Sequence, residues 1–100
     1  MKHAGATEID NVVVELGERV PVEARQYAHD KIAPLSRYAP APVPFARVRL
    51  TRPGPRTIAV QVNLDVNGTS LPAQAEAATF AEAIDEVHDQ LHTRLLKMHN

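Results

Sequence analysis

The chain contains no cysteine, which excludes disulfides and thiolate metal sites and fits a reducing compartment. No apolar run approaches the roughly 20 residues that span a bilayer, and the opening "MKHAGATEID" lacks the apolar core of a signal peptide. No internal repeat, glycine-rich phosphate loop, nucleophile–base pair or paired-carboxylate site is found, so nothing argues for an enzyme, a cofactor or a small-molecule substrate. Aromatics are scarce as well: Tyr27, Tyr38, Phe45 and Phe80 are the whole set. These absences leave a soluble, cytoplasmic, non-membrane protein as the expectation. With 100 residues it forms one domain, large enough to bury roughly 60–70% of its unfolded surface.

Apolar periodicity orders the rest. Val12, Val14 and Leu16 alternate with Asn11, Val13 and Glu15, the period of a half-buried strand. Pro21 opens a helix with Ala24, Ala28, Ile32 and Leu35 as its apolar stripe. Pro34 lacks an N–H and disfavours α geometry at Ala33, which predicts a kink or break with Leu35 to Tyr38 as a looser last turn. "APAPVP", from Ala39 to Pro44, is an extended connector. Three strands follow: Ala46, Val48 and Leu50 inward with Arg47, Arg49 and Thr51 outward, then Ile58 to Val66 in unbroken alternation, then Leu71, Ala73 and Ala75 inward. "RPGPR" predicts a turn with Gly54 free to take positive φ, and Asn67-Gly68 predicts a two-residue type I′ hairpin. Thr79 and Glu82 form a capping box ahead of a helix striped by Phe80, Ile84, Val87, Leu91, Leu95 and Met98. The order β-α-β-β-β-α predicts an α+β fold: a four-stranded, mostly antiparallel sheet with two helices packed on one face and the other face wet.

Charge is segregated along this order. The chain has eleven Lys plus Arg against twelve Asp plus Glu. Yet from Lys31 to Leu64 there are six basic residues and no acid, and from Thr57 to Thr93 six acids and no Lys or Arg. Arg47 and Arg49 fall on the wet face of a strand, and Arg52 and Arg56 flank the turn at its end. A solvated sheet face would tolerate them. An anion site would use them, because the planar guanidinium fork gives phosphate two hydrogen bonds at once, and nucleic acid is the common large partner of such a strip.

The order of elements, the helix "VEARQYAHDKIAPLSRY", the strand "ARVRL" and above all "AEAIDEVHDQLHTRLLK" resemble the ribosome hibernation-promoting factors, also called ribosome-associated inhibitors, over about Ile9 to Lys97. The resemblance implies a non-enzymatic domain that binds rRNA of the small ribosomal subunit in the mRNA and tRNA channel and silences idle ribosomes under stress or dormancy. It implies an organisation with a flexible leader at 1–8 and one ribosome-binding domain at 9–98, the N-terminal domain of a longer protein. The rRNA-binding residues it suggests are Lys31, Arg37, Arg47, Arg49, Arg52, Arg56, Arg94 and Lys97. His88, His92 and His99 stand on the last helix, where family members are usually strongly basic, and would add pH-dependent contacts at His88 and His92 in particular.

"HDQLH" sets His88 and His92 one helical turn apart, the spacing of a zinc-protease helix. Asp89 stands where that chemistry needs a glutamate, and no third ligand suggests itself, so no metal site is expected. Tyr27, Tyr38 and Phe80 fall at or near buried helix positions. Phe45 shares parity with Arg47 and Arg49, which puts it on the wet face or at the end of the proline connector. Two other functions fit the same residues: a generic double-stranded RNA-binding module, or a protein-interaction module using the open sheet face or edge.

Overall fold

The structure, a computed structural model, describes residues 8–98. The expected leader, apart from Glu8, and His99 lie outside the described residues. Strand β1 (Asn11–Leu16) leads to helix α1 (Glu23–Ile32), which runs into a 3-10 helix (Ala33–Tyr38). Strands β2 (Phe45–Gly54), β3 (Thr57–Val66) and β4 (Thr69–Ala77) follow, and helix α2 (Phe80–Lys97) closes the fold. The sheet order is β1-β2-β3-β4, with β1 parallel to β2 and the other neighbours antiparallel. The α+β architecture expected from periodicity is the observed one.

Strict alternation makes the sheet two-faced. Ala46, Val48 and Leu50 of β2, Ile58 to Val66 at every second position of β3, and Leu71 and Ala73 of β4 are buried under the helices. The helices contribute Ala24, Ala28 and Ile32 from α1 and Ala83, Ile84, Val87, Leu91 and Leu95 from α2. The β3–β4 hairpin turns on Asn67 (φ 53°) and Gly68 (φ 94°), both in the left-handed region that a type I′ turn requires. Asp65 Oδ1 fastens it by accepting from the Gly68 N–H at 2.7 Å. Thr79 Oγ1 accepts from the Glu82 N–H at 3.2 Å and caps α2 as expected, while the Glu82 carboxylate accepts from the Thr79 hydroxyl at 3.2 Å in place of the backbone N–H of a full capping box.

Two local expectations are corrected. Gly54 does not take positive φ; it remains in β2, opposite Thr57, after an irregularity between Thr51 and Gly54, and the turn itself is Pro55-Arg56. The α-helix does end at Ile32, ahead of Pro34, as expected, but the segment that follows is an ordered 3-10 helix rather than a looser turn. Ala33 keeps α geometry (φ −54°, ψ −42°), and the missing donor at Pro34 is accommodated by i→i+3 winding. That winding carries Leu35 to full burial and Ser36 close to it.

Side chains from the helices cover both edges of the sheet. On the β1 edge, Arg25 donates from a guanidinium nitrogen to Val14 O at 2.6 Å. On the β4 edge, Gln90 donates to Gln74 O at 3.2 Å and Arg94 donates to Pro72 O. Pro72 offers no N–H, and proline in an edge strand further discourages an added strand. These contacts occupy edge carbonyls that an added strand would need.

Candidate nucleic-acid interface

Strand register places the outward side chains in rows across the open face. One row runs Val13, Arg47, Asn63, Pro72; the next runs Glu15, Arg49, Gln61, Gln74. The contacts of α2 with the β4 edge extend both rows onto the helix, the first to Arg94 and the second to Gln90. The result is a shallow groove of about 690 Å³ lined by Arg47, Arg49 and Arg94 with the amides of Gln61, Asn63, Gln74 and Gln90. Three arginines face one carboxylate, Glu15, which stands opposite Arg49. Arg47 and Arg49 are exposed and make no hydrogen bond or ion pair among the described residues, so both guanidinium forks are free for an anion.

The remaining sequence candidates separate into three groups. Arg52 is engaged within the fold, donating from Nε to Arg19 O at 2.9 Å and from a second nitrogen to Pro55 O at 3.3 Å. There it pins the left-handed Arg19 (φ 67°) to the end of β2. Arg56 is exposed on the following turn, roughly 20 Å along the strand from Arg49 at about 3.3 Å per residue. Lys31 and Arg37 belong to the helical layer: Lys31 Nζ lies 3.5 Å from Asp85 Oδ1, while Arg37 is exposed in the 3-10 helix. Lys97, three residues beyond Arg94 and exposed, lies on the same flank of α2 as Gln90 and Arg94.

His88 and His92 occupy the opposite flank of α2 and are half-buried rather than exposed. The His92 ring lies 4.2 Å from that of Tyr38, and His88 6.1 Å from His92. His88 Nδ1 is 3.1 Å from Asp89 Oδ1. Both face the α1 side, away from the groove. No group of three or more His, Asp or Glu suited to a metal ion occurs among the described residues, and none of their helices is long and apolar enough to cross a membrane.

Sequence reasoning put Arg47 and Arg49 on the open face but treated Arg94 as part of a separate helical surface. Their convergence, and that of Gln90, depends on how α2 lies over the β4 edge, which no local pattern encodes. The amides were signalled: alternation alone turns Gln61, Asn63 and Gln74 outward.

The chain is an α+β domain with its helices on one face of the sheet and an arginine-lined open face on the other. The chain belongs to the family described as sigma 54 modulation protein / S30EA ribosomal protein, which matches residues 17–100. It is thus a ribosome-associated protein of the hibernation and translation-regulating kind. The fold is similar to the N-terminal domain of Thermus thermophilus Protein Y (TM-score 0.72, 23% identity, covering 91% of this chain and 98% of that one). It is similar too to a ribosomal subunit interface protein from Coxiella burnetii (TM-score 0.73, 18% identity, 89% and 97% covered). No curated protein matches the chain.

Proposed function

We propose that this protein silences translation in the cytoplasm under stress or dormancy by occupying the mRNA and tRNA channel of the small ribosomal subunit, with its open sheet face against rRNA. Arg47, Arg49 and Arg94 hold backbone phosphates, and Lys97 and Arg56 add longer-range attraction from the margins of that face. One observation carries the assignment of the face: two exposed arginines without partners and a third delivered by α2 line one groove, whereas the outer surface of α2 carries the exposed Glu82, Glu86 and Asp89. Phosphate is attracted to the first surface and repelled by the second.

The test is co-sedimentation with isolated small subunits, challenged separately with mRNA plus tRNA and with naked duplex RNA. Displacement by mRNA and tRNA, with little effect of the duplex, is expected. Equal displacement by naked duplex would instead identify a shape-reading duplex RNA module.

A further inference from the structure

At the Phe45 end of the open face, we propose a subsite for one unpaired nucleotide whose base carries an exocyclic amino group, stacked on Phe45 and hydrogen-bonded to Asp65. The proposal rests on the reading of the open face as an rRNA-binding surface and names what that surface takes besides phosphate.

Of the four aromatic rings, Tyr27, Tyr38 and Phe80 pack against the core; Phe45 does not. It is half-exposed at the start of β2, on the same side as Arg47 and Arg49, and lines a second cavity of about 420 Å³ with Arg47, Asn63, Asp65 and Ser70. Arg47 and Asn63 line both cavities, so the arginine groove and the Phe45 cavity are continuous. Register sets Asp65 directly opposite Phe45, with Ser70 beyond it. Asp65 Oδ1 is occupied by the Gly68 N–H, and its second oxygen has no partner among the described residues. Ser70 Oγ donates to Asn63 Oδ1 at 2.8 Å and fixes the neighbouring amide.

A phosphate is unsuited to this end, because the Asp65 carboxylate repels it. A base is suited: the ring offers a stacking platform, and a carboxylate is an acceptor that requires a donor. Cytosine, adenine and guanine present amino donors, whereas uracil offers only its N3–H, flanked by two carbonyl oxygens that a carboxylate repels. Bases in a duplex are already stacked and paired, so the occupant is a nucleotide from a single-stranded or bulged segment. Its flanking phosphates then fall toward Arg47 and Arg49, two and four residues along the same strand.

Single-stranded RNA hexamers of cytidine and of uridine carry equal charge, so their difference isolates the base. Fluorescence anisotropy with the intact protein at neutral pH should show the cytidine hexamer binding about tenfold more tightly. Phe45→Leu, which keeps an apolar side chain, should weaken the cytidine hexamer by roughly five- to a hundredfold, the range for loss of one stacked base. Asp65→Asn keeps an oxygen for the Gly68 N–H but replaces the free acceptor with a donor. It should abolish the preference for cytidine while leaving uridine binding within about twofold. Thermal midpoints on the same samples, and Phe45→Tyr as a ring-preserving variant that should bind like wild type, separate lost stacking from lost folding. Equal affinity for the two hexamers, or a stable Phe45→Leu protein that binds cytidine normally, overturns the subsite. If Arg47→Gln with Arg49→Gln still lowers ribosome binding in that case, the phosphate-binding face survives; if it does not, both readings fall.

Discussion

A single phenol joins the two helices. Tyr27 donates to Asp85 Oδ1 at 2.7 Å, meets Phe80 edge-on with ring centroids 5.8 Å apart, and lies 5.8 Å below the Lys31 ammonium. Its ionisation is raised above the ordinary 10.0, first by the hydrogen bond to Asp85, then by burial and by the carboxylate's charge. The unfolded chain therefore gives up this proton before the folded one does. The stabilisation is full below about pH 10 and is lost as pH rises through the folded-state value. Tyr27→Phe should cost about 1 kcal/mol near neutrality. Across about pH 9 to 11 its thermal midpoint should fall less steeply than that of the wild type; parallel curves would show that Tyr27 is not the titrating group. Arg52 makes the complementary point among the basic residues. Arg52→Gln loses two bonds to backbone carbonyls and should lower stability by about 1 kcal/mol while changing ribosome affinity little. Arg47→Gln should leave the thermal midpoint within about 1 °C and weaken binding. Alternation showed that Arg47 faces outward. The role of Arg52 was not legible, because its partner, Arg19 O, is 33 residues away and is brought close only by docking of the loop after β1.

At the scale of elements, the 3-10 helix is the informative case. Pro34 signalled a change of winding and the apolar stripe signalled Leu35 as core, but the two signals conflict if the segment is a loose end. The structure satisfies both, since i→i+3 winding accommodates the missing donor and still turns Leu35 inward. Leu35→Ala should therefore cost about 2–4 kcal/mol, as for a fully buried leucine, whereas Arg37→Ala in the same turn should stay within about 0.5 kcal/mol. Urea denaturation of the two variants decides this, and equal, small effects would mean that the segment contributes little to the core. The β3–β4 hairpin was legible in full because its signals are local: Asn67-Gly68 sets the turn and period-two alternation sets the faces. The β2–β3 connection misled because proline and glycine together mark a turn without saying which residues occupy it.

Across the whole molecule, the chain's near balance of charge conceals two surfaces. The outer face of α2 is acidic, the open sheet face carries the free arginines, and side chains from α1 and α2 cover the sheet edges. On the proposed function, the face of the sheet, rather than its edge or the helical layer, is the surface that meets rRNA. The same geometry bears on the histidines. His88 and His92 pack on the Tyr38 side of α2, so acidification should not tighten ribosome binding through them, and a His88→Gln/His92→Gln variant should keep the wild-type affinity at about pH 6 and about pH 7.5. The central claim concerns the groove that unites Arg47, Arg49 and Arg94, and the salt dependence of ribosome binding tests it most directly. Each phosphate contact contributes roughly 0.7 to 0.9 to the slope of log K against log salt. The triple variant Arg47→Gln/Arg49→Gln/Arg94→Gln should thus bind more weakly with a slope shallower by about 2 to 3. Lys31→Gln with Arg37→Gln, on the helical layer, should leave the slope within about 0.5 of wild type. A triple variant that stays folded and keeps both affinity and slope, while the helical-layer pair loses them, would contradict the account.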